Sequence, residues 1–227
     1  FMSMLFRMEK FRKKKSVESV PAPEQISNDL STIVKRIKDA SYDLHTDASK
    51  ESLRVAVEDF GRSVAGAAQE YRTASPEKRE KVLDPLDMIS RSLAIERSAE
   101  LKTYVRDAIR GLVPDMQNTF SSGDEYSPFL ELNLLSYLAD QSKYQGHNES
   151  VDVLFGALPH IKKLMTNPQE VYAAIRSVQL ILDDGTDEQG EKVKEMLADV
   201  LASEPPTFAR IVAECLNRTK TREVGMQ

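Results

Sequence analysis

The sequence predicts an all-α protein, and three observations carry that prediction. From Leu30 to Leu216 apolar residues recur at a helical period. No segment alternates apolar and polar residues with β-branched enrichment, and Asp184-Gly185 joins two helical stretches where a hairpin would join two strands. Helix-start signatures, Ser75-Pro76 and Asn167-Pro168-Gln169-Glu170, fall between the periodic stretches.

Pro21 and Pro23 close a linker from Ser16 that has no apolar period, so the helical body starts near Glu24. Leu30, Ile33, Val34, Ile37 and Leu44 share one face opposite Lys35, Arg36 and Lys38, which predicts a helix to about His45. From Ser49 to Arg72 the stripe is Leu53, Val57, Phe60, Val64, Ala67, Ala68 and Tyr71, flanked by Gly61, Ala65 and Gly66. Small flanking side chains admit close approach of another helix, so this stretch is the candidate central helix. Ser75-Pro76 opens a segment carrying Val82, Leu86, Ile89 and Leu93, which Pro85 is expected to kink or divide.

A helix from about Ser98 carries Leu101, Val105, Ala108, Ile109, Leu112, Met116 and Phe120, with a kink expected at Pro114 and an end at Ser121 to Glu125. Ser127-Pro128 opens a helix with Phe129, Leu132, Leu135, Leu138 and Ala139, and Gly146-His147-Asn148 leads into another with Val151, Leu154, Leu158, Ile161 and Met165. The Asn167 cap, Pro168 at the first position and Glu170 at the third predict a helix with Val171, Ala174, Ile175, Val178 and Leu182, stopped by Asp183-Asp184-Gly185. Val193, Met196, Leu197, Val200 and Leu201 mark the next. Pro205-Pro206 start the last, with Phe208, Ile211, Val212, Cys215 and Leu216.

From Pro128 onward the helices recur about every twenty residues, about forty per pair, close to the spacing of HEAT and armadillo units. That likeness is architectural, covers at most the second half, and transfers no functional residue. Short capped loops favour successive antiparallel neighbours. The expected arrangement is therefore antiparallel helices stacked as a HEAT/armadillo-like α-solenoid, with a compact multi-helix bundle as the alternative. The domain plan is a basic amphipathic arm and linker over 1–23, an all-helical domain over 24–217 and a polar tail over 218–227.

Charge divides the chain unevenly. The formal net charge is -5, yet the first fifteen residues hold Arg7, Lys10, Arg12, Lys13, Lys14 and Lys15 against Glu9 alone, so an arm of +5 precedes a body of -10. At 100° per residue Met4, Leu5, Met8 and Phe11 fall on one side of a helix and Arg7, Lys10 and Lys14 on another, with Phe6 breaking the pattern. Such a segment suits an anionic membrane surface, where each basic residue contributes about 1 kcal/mol. It equally suits nucleic-acid phosphates or an acidic protein surface. The contact residues predicted from this pattern are Met4, Leu5, Arg7, Met8, Lys10, Phe11, Arg12, Lys13, Lys14 and Lys15.

Chemistry is sparse. Cys215 stands alone, which excludes an intramolecular disulfide and multi-cysteine metal sites, and its neighbours Phe208, Ile211 and Val212 favour a core position over a nucleophile. His45, His147 and His160 show no metal-ligand spacing. Asp183-Asp184-Gly185-Thr186-Asp187-Glu188 lacks the register of a calcium loop, and Asp124-Glu125 reads as a solvated loop. No phosphate-binding glycine loop and no G-x-S-x-G elbow occurs. No apolar run approaches the roughly 20 residues of a bilayer span.

The expectation from sequence is a non-enzymatic helical interaction or scaffold module without catalytic, cofactor or metal residues. It would be cytoplasmic, bind a protein partner, self-associate as an option, and attach peripherally to an anionic membrane through residues 2–15. One alternative is a nucleic-acid-associated protein using the arm and Lys35, Arg36 and Lys38, although the acidic body opposes broad phosphate contact. A second is an enzyme whose site is assembled from dispersed residues.

Overall fold

The computed structural model describes residues 23–42, 46–121, 127–142, 148–203 and 213. Among them every regular element is an α-helix. Helix α1 (Pro23–Tyr42) buries Leu30, Ile33, Val34 and Ile37 and packs chiefly on α2 (Asp47–Val64). Thr46 starts α2 by accepting the Ser49 amide at 3.1 Å. The chain breaks at Ala65-Gly66 before α3 (Ala67–Thr73), so the stretch expected to form one central helix forms two.

Helix α4 (Pro76–Ser90) begins where Ser75-Pro76 predicts, with the Lys78 and Arg79 amides donating to the Ser75 carbonyl at 2.9 and 3.1 Å. Pro85 does not divide it. Proline removes one helical hydrogen bond, and the buried neighbours Val82, Leu83, Leu86 and Ile89 hold the helix through that gap. The division comes seven residues later, where the amide and hydroxyl of Ser92 both donate to the Ile89 carbonyl, at 3.1 and 2.8 Å. This ends α4 and releases α5 (Leu93–Arg97) in a new direction. Leu93, expected on the buried stripe of Val82, Leu86 and Ile89, is 60% exposed as a result.

Helix α6 (Ala99–Ser121) is capped by the Ser98 hydroxyl, which accepts the Leu101 amide at 3.1 Å, and continues past Pro114. It passes close to α2: a Cβ on Gly61 would lie 2.7 Å from Tyr104 Cε2. Helix α7 (Phe129–Ser142) takes the central place expected of residues 49–72, packing against α4, α6, α8 and α10. Its own Leu130, Leu132, Leu134, Leu135, Leu138 and Ala139 spread over about half of its circumference and are buried. A helix with so wide an apolar arc sits deeper than one with a narrow stripe.

One helix was expected from Val151 to Met165, and two form: α8 (Glu149–Gly156) and α9 (Leu158–Leu164). Gly156 is a weak helix former and Pro159 has no N–H for the preceding turn, so the chain re-aims at Ala157. Asn167 accepts the Gln169 amide on Oδ1 at 3.0 Å, but residues 168–170 form a turn and α10 (Val171–Asp184) starts three residues after Pro168. Gly185 ends α10 where a Cβ would sit 2.4 Å from the Ile181 carbonyl oxygen, so only glycine fits. Thr186 and Gln189 then form a reciprocal capping box at the start of α11 (Asp187–Ser203), with bonds of 2.8 and 3.2 Å. Leu44, His45 and the helix expected from Pro205 lie outside the described residues, apart from residue 213. A single apolar core runs from α1 through α11.

Candidate interaction site

Because α4 stops at Ser90, three helix ends meet at one place: the C-terminus of α1, the C-terminus of α4 and the start of α5. They wall a groove of about 450 Å³. Its rim carries Tyr42, Leu93 and Met88, which are 70%, 60% and 40% exposed and are three of the five large apolar side chains exposed among the described residues. Gathering so many in one place marks an interaction surface more than scattered surface leucines do.

The floor is polar. Asp87 is buried, its Oδ2 is paired with the Arg91 guanidinium, and its Oδ1 has no hydrogen-bond partner among the described residues. Asp84, one turn earlier, is exposed and makes no ion pair among the described residues. Across the groove the Ser41 hydroxyl donates to the Lys38 carbonyl at 2.7 Å, and Arg97 of α5 donates to the Ser41 carbonyl. The bond from Arg97 satisfies one of the last carbonyls of α1 and ties it to α5.

The other concentration of polar groups is buried. Tyr71 of α3 is fully buried and its hydroxyl donates to Glu131 Oε1 of α7 at 3.0 Å. Glu131 has no exposed surface. The Thr119 hydroxyl of α6 lies 3.3 Å from the Tyr71 oxygen, accepts Arg79 Nη1 of α4 at 3.1 Å and donates to the Asp115 carbonyl at 3.0 Å. The Arg79 guanidinium stands 5.3 Å from the centroid of the Tyr71 ring. Burial first, and then the Glu131 charge, push the Tyr71 hydroxyl well above its ordinary range, which keeps it a hydrogen-bond donor. Arg72 adds a two-pronged pair with Asp115 at 3.0 and 3.1 Å. The arrangement clamps α3, α4, α6 and α7 together.

His160 is half-buried, and among the described residues it forms no ion pair with a carboxylate. Its Nε2 lies 3.0 Å from the Phe120 carbonyl and its ring tilts against Phe120, joining α9 to the end of α6. It lines a pocket of about 230 Å³ beside Glu170, whose two oxygens accept Ser127 Oγ at 2.7 Å and Asn167 Nδ2 at 2.6 Å. Arg36, one of the basic residues considered for phosphate contact, pairs with Asp59 of α2 at 2.9 Å. Arg62 and Arg36 together hold the Asp59 carboxyl below its usual range. Glu188 pairs with Lys192 at 3.4 Å. Among the described residues no group of three or more histidine, cysteine or carboxylate side chains is placed to hold a metal ion, and no helix is long and apolar enough to cross a membrane.

The contact residues predicted from sequence, Met4, Leu5, Arg7, Met8, Lys10, Phe11, Arg12, Lys13, Lys14 and Lys15, lie outside the described residues, as do His45, Asp124, Glu125, His147 and Cys215. The groove itself escaped sequence reasoning because Leu93 keeps the helical period of the stripe before it. Ser90 and Ser92 were the available signal, since serine hydroxyls compete for backbone carbonyls inside a helix. No protein-family model, no curated protein and no solved structure matches this chain.

Proposed function

We propose that the chain is a non-enzymatic helical interaction module that receives a protein partner at the groove between α1, α4 and α5 and attaches to an anionic membrane surface through its basic arm. The clustering of Tyr42, Met88 and Leu93 at one groove carries the first half. The +5 amphipathic segment before a -10 body supports the second. The helices form a compact bundle in this reading: α1 packs on α4 and α5, and α2 on α6, neighbours more remote in sequence than a one-dimensional stack supplies.

Photo-crosslinking tests the groove. A photoreactive residue at position 93 is expected to trap a protein that the same residue at 172, an equally open site on α10, does not. Equal trapping at both positions overturns the assignment. For the arm, the full chain should co-sediment with anionic but not neutral vesicles, and Lys13→Glu with Lys14→Glu should abolish this. Preferential capture by short duplex DNA would transfer the arm to nucleic acid.

A further inference from the structure

We infer that the partner received at the groove is a second copy of this chain, related by a two-fold axis that lays α1 of each copy along α4 of the other. The inference rests on the groove being the docking surface.

The charges left over on the two walls of the groove are opposite in sign. Asp87 is already paired with Arg91 inside the chain, which leaves Lys38 on α1 and Asp84 on α4. Neither makes an ion pair among the described residues. The lining is therefore neutral in sum and selects neither a basic nor an acidic occupant. It suits an occupant that presents an acid to α1 and a base to α4 together. The chain's own groove surface does this when turned about a two-fold axis, because a self-complementary patch meets itself with the two walls exchanged.

The apolar side chains fall in the same register. Tyr42 stands four residues after Lys38 on α1, and Met88 four residues after Asp84 on α4. Residues four apart lie one above the other on a helix face, so each wall is a short ladder with a charge one turn before an apolar side chain. Both helices end at the groove, so both ladders run towards the same end. A two-fold axis along that direction keeps the direction of each helix and exchanges the walls. Lys38 of one copy then faces Asp84 of the other, Tyr42 faces Met88 one turn later, and symmetry repeats both contacts. Leu93, at the start of α5, closes the apolar end. Tyr42 and Leu93, 70% and 60% exposed in the single chain, leave water together in the pair. Because such a contact closes on itself, it consumes the apolar rim and stops at two copies.

Sedimentation of the purified full chain over a dilution series is expected to show a monomer to dimer equilibrium. A photoreactive residue at position 93 should give a covalent dimer that the same residue at 172 does not. Lys38→Asp sets a carboxylate against Asp84, and Asp84→Lys sets an ammonium against Lys38, so each variant should dimerise about tenfold more weakly. Mixing the two variants places opposite charges together again at both contacts. The mixture, and equally the chain carrying both substitutions, should therefore dimerise close to the native level. Circular dichroism verifies that each variant folds; Asp84 is exposed, so Asp84→Lys carries the test by itself if the half-buried Lys38 does not tolerate replacement.

A chain that stays monomeric at every concentration overturns the inference. So does a dimer that ignores both substitutions, or a mixture that associates no more tightly than either variant alone. A monomeric chain whose position 93 traps a different protein overturns the second copy and leaves the docking surface standing. A dimer that crosslinks equally at 93 and 172 defeats both.

Discussion

Helix α4 joins two regions with opposite surfaces. Near its start Arg79 reaches into a cluster where Tyr71, Thr119 and Glu131 are polar and buried. Near its end Met88 lines a groove with Tyr42 and Leu93, and all three are exposed. In the first region hydrogen bonds from Tyr71, Arg79 and Thr119 join α3, α4, α6 and α7 inside the fold. The second gathers apolar side chains at the surface. Polar groups that are buried and satisfied specify how helices seat against each other; apolar groups that are exposed and gathered await something else.

Paired tyrosine truncations break this comparison most directly. Tyr71→Ala removes a fully buried ring and the donor to Glu131, and denaturant unfolding should show a loss of about 3–5 kcal/mol, as for other buried aromatics. Tyr42→Ala, truncating the same residue type at the groove, should change stability by less than about 0.5 kcal/mol. A comparable loss from both would erase the distinction.

Glu131→Leu keeps much of the volume but leaves the Tyr71 hydroxyl without its acceptor, an expected loss of about 1–3 kcal/mol. Adding Tyr71→Phe removes the stranded donor, so the double variant should recover part of that loss in a double-mutant cycle. Strict additivity would mean that the bond at 3.0 Å does not couple α3 to α7.

Alkaline titration separates the regions more gently. The folded state raises the Tyr71 pKa above its unfolded value, so this group's contribution to stability is whole below about pH 10 and is lost as pH rises further. Unfolding midpoints followed upward from about pH 9 should fall less steeply in Tyr71→Phe than in the native chain.

The smallest expected change in stability comes from Leu93→Asp, within about 0.5 kcal/mol, because the side chain is already largely in water. Its consequence should appear in crosslinking alone. A large destabilisation would place Leu93 in the core after all.

Helical content was legible residue by residue. Ser75-Pro76 opens α4 and Ser98 caps α6 because capping is a transaction between atoms a few residues apart. The Thr186 and Gln189 box was equally present in the sequence and passed unnoticed. Helix divisions were harder. Pro85 was expected to kink or divide α4 and does not divide it, while Ser92 marks a division that the apolar period concealed.

The candidate site was scarcely legible at all. Tyr71 and Glu131 are 60 residues apart, and nothing in the period of either segment pairs them. Leu93 reads as a core residue until the helix beneath it turns away.

By itself, the sequence determined that the body is helical, that many of its helices start at recognisable caps, and that a run of basic residues precedes an acidic body. Those properties depend on near neighbours in the chain, on composition and on a period the backbone imposes. Tertiary structure alone decided that α7 is central, that Glu131 is buried beside Tyr71, and that α1, α4 and α5 end around a common groove. Those outcomes depend on which helix faces fit together, and that fit is set by side chains brought into contact from distant parts of the chain.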